Sequence, residues 1–252
     1  YLAGCGAKVV CCDLGVELDG SGRDGTVAEA TAVAIREAGG DAVADASDVS
    51  TFDGAAAAVA SGVSAFGFVD IVVNNAGTAL AAPIADVTEA LLLGQYAVHL
   101  VGALGTAKAA WPMMIERRWG RVVNTVSEAA FPDRLAGGPG GLGYGSAKAA
   151  VWSATFALAA EGAPFGITVN AVSPGARTRM NDAMLTVAGS RLDLDPVHVA
   201  RVVGWLVGSD AADVTGRVIH AAAGQYREYR MDRHRDTELV ARVVGALGRS
   251  DD

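Results

Sequence analysis

Residues 70–77 read DIVVNNAG, an apolar run that ends in two asparagines, an alanine and a glycine. The first five residues of this stretch show no alternation of apolar and polar side chains. A strand that helices cover on both faces has this pattern. We therefore predict a buried strand over residues 70–74, and the segments on either side of it decide the fold.

Predicted strands and helices alternate along the chain on both sides of this stretch. The predicted strands cover residues 7–14, 41–49, 70–74, 121–126, 167–172 and 218–220, and the predicted helices cover residues 25–38, 51–66, 86–118, 144–162 and 196–207. Repeated strand–helix–strand units make a mostly parallel sheet with helices on both faces, and right-handed crossovers make it an α/β doubly wound, Rossmann-like fold. We predict one domain over residues 1–225 and a charged, then amphipathic, C-terminal extension over residues 226–252.

Composition limits the classes of function. Of the 252 residues, 51% are apolar, which is enough for one substantial core. The net charge is −8 and no block of lysines or arginines occurs, which argues against nucleic-acid binding. Neither an uninterrupted apolar run of about 18 residues nor a leader is visible, so we predict a cytoplasmic protein without a membrane span. The three cysteines, Cys5, Cys11 and Cys12, are odd in number and crowded at one end, so we predict no disulfide framework and no metal site.

The chain opens YLAGCGA, in which Gly4 and Gly6 look like the start of a glycine-rich phosphate loop. Such a loop follows the first strand and opens the first helix, whereas these glycines precede the strand that ends in Asp13. We therefore predict a helix end with a glycine stop, in a chain that lacks the first strand and the phosphate loop of its fold and so the main anchor for a pyrophosphate. The alternative is a different, complete fold in which both glycines are ordinary turn residues.

Tyr144 and Lys148 lie in the segment YGSAK, four residues apart at the start of a predicted helix, and therefore on one helical face. A tyrosine hydroxyl has an ordinary pKa near 10, and a nearby ammonium favours its ionised form. Such a tyrosine can exchange a proton with an alcohol or ketone oxygen. The pair alone also fits a capping tyrosine and a surface lysine. Polar or glycine residues at three successive strand ends favour a site, because ligands bind at that edge of open α/β sheets.

The ordered segments DIVVNNAG, GRVVNTVS, YGSAK and ITVNAVSPG resemble the short-chain dehydrogenase/reductase family. The resemblance covers the chain from residue 1 to about residue 224. It implies that Tyr144 is the catalytic acid/base and that Lys148 lowers the pKa of Tyr144 and binds the nicotinamide ribose. It further implies that Ser127 orients the substrate oxygen.

The resemblance also implies a dinucleotide groove. Its implied cofactor-binding residues are Asp13, Leu14, Asp48, Val49, Asn75, Ala76, Gly77, Tyr144, Lys148, Pro174, Gly175 and Thr178. Asp13 matches the acidic residue that binds the adenosine ribose, and its charge repels the extra phosphate of NADP, so NAD is the expected cofactor and NADP the less favoured one. Asn74 is expected to brace the sheet rather than to bind the cofactor.

The sequence departs from the family pattern near the expected site. His99 stands where a proton-relay asparagine is usual, and Glu128 follows Ser127 where a small residue is usual. The interval between Ser127 and Tyr144 is long, and the segment PGARTRM is one residue short. His99 and the short segment PGARTRM, together with the stretch VVCCDLGVELDGSG, resemble the branch that contains the (3R)-hydroxyacyl-CoA dehydrogenase part of multifunctional β-oxidation proteins. For His99, a catalytic relay and a core histidine both stay open.

The expected function is NAD-dependent interconversion of a secondary alcohol and a ketone in lipid metabolism. The expected substrate is apolar and bulky, either a 3-hydroxyacyl-CoA or a hydroxysteroid. Two alternatives remain: an NADPH-dependent 3-oxoacyl reductase, and a catalytically silent, truncated assembly partner. The helix that contains VWSATFALAA is apolar nearly all round, which predicts burial on more than one side. The family resemblance implies that this helix pairs across subunits, so a homo-tetramer or homo-dimer is expected.

Overall fold

The computed structural model describes residues 1–131, 141–187 and 191–230. In this part of the chain the strands are β1 Val9–Cys12, β2 Ala42–Asp45, β3 Ile71–Asn74, β4 Gly120–Thr125, β5 Ile167–Gly175, β6 Val218–Ala222 and β7 Gln225–Tyr229. The helices are α1 Thr26–Glu37, α2 Phe52–Phe66, α3 Glu89–Tyr96, α4 Gly102–Arg117, α5 Leu142–Gly162, α6 Asp182–Val187 and α7 Val197–Val207. The predicted alternation of strands and helices is confirmed.

The strands form a mostly parallel arrangement. β1 pairs with β2, and β3 to β7 form a five-stranded sheet in chain order, with only β7 antiparallel to its neighbour. Asn74 lies opposite Asn124, and Thr125 lies opposite Val172. Because these three strands run the same way, the segments that follow them leave the sheet at one edge. The predicted α/β class is confirmed, and this edge is where the candidate site lies.

The central strands β4 and β5 are buried on both faces, as the continuous apolar runs predict. On one face Ile167 and Val169 pack with Met114 of α4. On the other face Val123 and Val172 pack with residues of α7 such as Leu206. Each fully buried aliphatic side chain contributes about 1.5–3 kcal/mol, so these two layers hold the strand ends in fixed positions.

Threonine caps and small residues shape the flanking helices. The side chain of Thr51 accepts a hydrogen bond from the Gly54 N–H at 3.0 Å and so caps α2. Further along, α2 lies so close to α4 that a Cβ added at Gly105 would stand 2.8 Å from the Cβ of Ala55. The many alanines and glycines are therefore used for close helix packing.

The long helix predicted over residues 86–118 is divided. A π-helical turn, Ala97–Val101, separates α3 from α4 and carries His99. By length and composition alone the stretch 89–117 is a candidate membrane span, which the sequence did not predict. In this fold, however, one face of that stretch packs in the core, where Ala107, Ala110 and Met114 are fully buried.

The first residues form one turn of 3-10 helix, Ala3–Cys5, before β1. Gly6 ends this turn with φ +91°, a left-handed conformation that favours glycine, and its N–H donates to the Ala3 carbonyl at 2.9 Å. The predicted glycine stop is confirmed, and Gly4 and Gly6 do not join a strand to a helix. Among the described residues, β1 and β3 are not paired with each other.

The end of β5 and the start of the predicted extension differ from the sequence prediction. β5 continues through Pro174 to Gly175, beyond its predicted end at residue 172. Beyond Val172, β6 is its only strand neighbour in the described chain, so a missing N–H is tolerated there. The predicted extension starts inside the sheet, because residues 226–229 belong to β7. Its remainder from residue 231, and residues 132–140 of the long interval before Tyr144, lie outside the described residues.

Candidate active site

The predicted catalytic residues meet at the carboxyl edge of the sheet. Ser127 follows β4 by two residues, and Tyr144 lies in the first turn of α5, which packs beside β5. Lys148 is one turn further along the same helix and is only 4% exposed. Its Nζ donates to the Thr125 carbonyl at 2.7 Å and stands 5.7 Å from the centroid of the Tyr144 ring. The prediction that both side chains share one helical face is confirmed.

The protonation states of this pair differ from the prediction. Burial raises the pKa of Tyr144, and a hydrogen bond with the Ser127 side chain partly opposes that rise. Burial also lowers the pKa of Lys148 to about 7. The predicted lowering of the Tyr144 pKa by Lys148 is therefore wrong for this structure. The physical reason is that a dry environment penalises the charged form of both groups.

Ser127 begins a short turn that α5 holds in place. It caps the 3-10 turn Glu128–Ala130, and its Oγ accepts a hydrogen bond from the Ala129 N–H at 3.2 Å. A Cβ added at Gly145 would stand 2.5 Å from the Ala129 carbonyl oxygen. The glycine directly after Tyr144 therefore lets the helix approach the turn closely enough for Ser127 and Tyr144 to bond.

His99 lies against the ring of Tyr144. Its ring is 3% exposed and makes an edge-on contact with the Tyr144 ring, with 5.3 Å between centroids. Its Nε2 stands 2.8 Å from the Thr78 carbonyl, which can only accept, so Nε2 carries the proton. Nδ1 then presents a lone pair and has no hydrogen-bond partner among the described residues. Burial, followed by the charge of Lys148, lowers the pKa of His99 to about 4, so the ring is neutral at physiological pH.

The sequence analysis missed two residues that hold this histidine. Gln95 is 1% exposed and donates from Nε2 to the Thr78 hydroxyl at 3.0 Å. Thr78 is thus held by two side chains of the same helical stretch, four residues apart. Gly77, just before it, lies so close that an added Cβ would stand 2.6 Å from Cε1 of His99. The spacing of Gln95 and His99 was the available signal, because residues four apart share a helical face.

Two of the residues predicted to bind the adenosine part of the cofactor lie just after β1 and β2. Asp13 is exposed, and its Oδ1 accepts a hydrogen bond from the Gly15 N–H at 2.8 Å. Asp48 binds Ser50 through Oδ1 and pairs with Arg23 through Oδ2 at 2.8 Å. The hydrogen bond from Ser50 is the main cause that lowers the pKa of Asp48. The sequence analysis did not single out Arg23.

The other predicted groove residues lie in or after the strands and are held by backbone and side-chain contacts. They are Leu14, whose carbonyl accepts from the Asp24 N–H, Val49 against Gly102, Asn75, whose Oδ1 accepts from the Thr125 hydroxyl, Ala76 beside it, Pro174 and Gly175 in β5, and Thr178, whose N–H donates to Asn181. Arg179 donates to the Val16 carbonyl at 2.7 Å and so connects the segment after β5 to the loop after β1. Asn74 donates to Oδ1 of Asn124 at 2.9 Å, which confirms that it braces the sheet.

Comparison with known proteins identifies the family of this chain. The family model described as short chain dehydrogenase matches residues 2–186. The chain belongs to the short-chain dehydrogenase/reductase family. Proteins of this family are oxidoreductases that bind NAD(P). The fold agrees, because a short chain dehydrogenase from Mycobacterium avium superposes with a TM-score of 0.78 at 35% identity, covering 99% of this chain and 89% of that one.

Two curated relatives are similar over most of this chain. The peroxisomal hydratase-dehydrogenase-epimerase of Saccharomyces cerevisiae is 34% identical over 228 residues, which are 90% of this chain and 24% of the yeast protein. The acetoacetyl-CoA reductase of Rhizobium meliloti is 34% identical over 190 residues, covering 71% of this chain and 77% of the reductase. The chain thus spans about a quarter of the yeast protein. The predicted likeness to the dehydrogenase part of multifunctional proteins is confirmed.

Proposed function

We propose that the protein is an NAD-dependent oxidoreductase that interconverts a secondary alcohol and a ketone on a 3-hydroxyacyl-CoA. The observation that carries the proposal is the meeting of Ser127, Tyr144 and Lys148 at one edge of the sheet, with the hydroxyl of Ser127 bonded to Tyr144. Two hydroxyls that converge in this way can hold one substrate oxygen between them and exchange its proton.

The residues at both ends of the groove fit a dinucleotide. Lys148 has a single hydrogen bond among the described residues, to the Thr125 carbonyl, and its ammonium retains donors for ribose hydroxyls. The exposed carboxylate of Asp13 suits the hydroxyls of the other ribose. When bound, the nicotinamide supplies a ring carbon that exchanges a hydride with the substrate carbon.

The proposed reaction moves one hydride and one proton. In the direction of oxidation, the carbinol carbon gives up a hydride while its hydroxyl proton passes to Tyr144, which must be in its phenolate form to accept it. In the direction of reduction, the Tyr144 hydroxyl donates its proton to the ketone oxygen. Because its pKa is raised, Tyr144 is a neutral phenol at neutral pH in this structure, ready to act as the acid. Ser127 orients the substrate oxygen, and the lone pair of His99 Nδ1 supplies a further acceptor close to Tyr144.

The cofactor preference is argued from charge. The carboxylate of Asp13 repels a phosphate on the adenosine ribose, which supports NAD. Arg23 is a cation near the same end of the groove and would attract that phosphate, but its guanidinium is paired with Asp48 at 2.8 Å. The second candidate function, NADPH-dependent reduction of a 3-oxoacyl group, draws support from Arg23 and from the likeness to an acetoacetyl-CoA reductase.

We also propose that α5 contributes to a homo-dimer or homo-tetramer. Val151 and Trp152 of α5 are buried in the domain, whereas Phe156 on the same helix stays 37% exposed. A second copy would cover such an aromatic ring. Light scattering at micromolar concentration should show an oligomer, and a monomer would remove this part of the proposal. An oligomer that neither binds dinucleotide nor turns over would instead identify a catalytically silent assembly partner.

The test is turnover of the full-length natural protein on acetoacetyl-CoA with NADH and NADPH, and on (3R)-hydroxybutyryl-CoA with NAD and NADP. We expect a preference for NAD(H), and a loss of about 100-fold or more in kcat for Tyr144→Phe, since general acid–base catalysis contributes about 10²–10⁴-fold. Tyr226→Phe, which alters a half-exposed tyrosine on β7, is the matched control and should leave kcat unchanged. Undiminished turnover by Tyr144→Phe would overturn the assignment, and a clear preference for NADPH would establish the second candidate.

A further inference from the structure

Glu128, the unusual neighbour of Ser127, is bound to the last strand of the sheet. Its Oε1 accepts a hydrogen bond from the Tyr229 hydroxyl on β7, a residue 101 positions away in the chain. The same oxygen stands 3.7 Å from Nδ1 of His220 on β6. Val218 lies opposite Tyr229, and His220 follows Val218 by two positions, so both partners of Glu128 lie on one face of the sheet.

An aromatic cluster fixes the position of the Tyr229 hydroxyl. The Phe131 ring makes edge-on contacts with Tyr229 at 4.5 Å and with Trp152 at 4.8 Å between centroids. Trp152, which is 4% exposed, lies nearly parallel to Tyr229 at 6.2 Å. Tyr229 therefore contacts the Ser127 turn at two points, through the carboxylate of Glu128 and through the ring of Phe131.

This turn is held between two elements. On one side Tyr229 of β7 holds Glu128 and Phe131, and on the other side the Ala129 carbonyl lies against Gly145 of α5. Ser127 is the first residue of the turn, so a rotation of the turn changes where its Oγ points. Glu128 is the one residue of the turn that a charge-assisted hydrogen bond ties to another element among the described contacts, and such bonds are roughly twice as strong as neutral ones.

We propose that Glu128, anchored by Tyr229, is a positioning residue that orients the hydroxyl of Ser127 for the reaction. This inference rests on the proposed function of Ser127 and extends it. Through Tyr229 alone, the edge strand β7 then supports the turn that carries Ser127. A long side chain that ends in an acceptor oxygen is needed at position 128, because that oxygen must reach the Tyr229 hydroxyl, which a small side chain cannot do.

The experiment is a double-mutant cycle in the full-length protein, with acetoacetyl-CoA as the probe. Glu128→Ala and Tyr229→Phe should each lower kcat by about tenfold, and the double variant should lose no more than either single one, because both remove the same contact. KM should stay within about twofold. Glu128→Gln keeps an oxygen that accepts from Tyr229, so it should restore kcat to within about threefold of the wild type. Tyr226→Phe on the same strand is the matched control.

Several outcomes would overturn the inference. Wild-type kcat in Glu128→Ala and Tyr229→Phe, together with loss of activity in Ser127→Ala, would reject Glu128 as a positioning residue while leaving the proposed function intact. A raised KM at unchanged kcat would mean that Glu128 contacts the substrate instead. Losses that add in full in the double variant would also reject the contact. Full activity in Ser127→Ala would show that the proposed function itself has failed.

Discussion

Replacing Lys148 by methionine should abolish turnover and, at the same time, make the fold more stable at neutral pH. Lys148 is 4% exposed, and burial brings its pKa from the ordinary 10.5 down to about 7. A difference of about 3.5 pH units corresponds to a penalty on the order of 5 kcal/mol for the buried charged form. Methionine has a similar length and no charge, so it removes that penalty. It also removes the hydrogen bond to the Thr125 carbonyl, at a cost of about 1–3 kcal/mol.

The sign of the pH dependence follows from proton binding. Between pH 7 and pH 10.5 the unfolded wild-type chain holds a proton on Lys148 that the folded protein has released. The wild type therefore gains stability as pH rises through this window, by at most about 1.4 kcal/mol per pH unit, and Lys148→Met has no such gain. Below pH 7 both states are protonated, and the full penalty acts on the wild type.

Urea unfolding at several pH values measures this difference. The stability advantage of Lys148→Met should shrink by about 2–3 kcal/mol between pH 7.5 and pH 9.5. Lys108→Met is the matched control, because Lys108 is an exposed helical lysine whose Nζ stands 4.9 Å from the centroid of the Phe52 ring. The effect of Lys108→Met over the same range gives the background to subtract from that of Lys148→Met. If the difference in the free energy of unfolding between Lys148→Met and the wild type varies by less than about 0.5 kcal/mol over this range, the conclusion that burial lowers the pKa of Lys148 is refuted.

Two further predictions concern the contacts around Tyr144. Gly145→Ala should lower kcat by about tenfold, because its Cβ would stand 2.5 Å from the Ala129 carbonyl oxygen and push the Ser127 turn away. The control is Gly94→Ala in α3, where a Cβ has open space, and this variant should be as stable as the wild type or more stable. Equal kcat in the two variants would contradict the steric argument. His99→Asn should keep kcat within about threefold and His99→Phe should lose about tenfold or more, if Nδ1 serves as an acceptor. Because the pKa of His99 is about 4, the kcat profile between pH 5.5 and pH 8 should keep its shape in His99→Asn, and a lost inflection in that range would contradict the neutral ring.

The sequence predicted the part of the site that depends on strand order. Parallel strands end at one edge, so polar residues after β3, β4 and β5 had to converge there, and Tyr144 and Lys148 share a face by their spacing alone. The features that the sequence did not predict correctly depend on tertiary packing. The direction of the Tyr144 pKa is set by burial, which a spacing of four residues does not report. The Thr78 contacts of Gln95 and His99 arise only when a helix meets a strand end.

The edge strand β7 shows a second limit of sequence patterns. Its sequence, QYREY, is polar, and all but one of its residues are exposed, so it has neither the apolar run of a central strand nor a clear alternation. Such a strand forms because β6 offers a partner edge, and its one well-packed residue, Tyr229, is held by Phe131 and Trp152. A local pattern does not record a partner that is supplied from elsewhere in the chain.

The pKa of Tyr144 is raised rather than lowered, so Tyr144 needs a change in its surroundings before it can act as a base. Tyr144 and Lys148 are each destabilised in their charged forms by the same dry surroundings, with 5.7 Å between Nζ and the ring centroid. A proton taken up by Lys148 places a positive charge beside Tyr144 and favours the phenolate, and a phenolate in turn favours the ammonium. The two ionisations are therefore coupled, and protonation of Lys148 lowers the pKa of Tyr144. An anionic dinucleotide bound beside Lys148 favours the protonated lysine, so binding of NAD at pH 8 should be accompanied by proton uptake at Lys148 in the wild type and not in Lys148→Met.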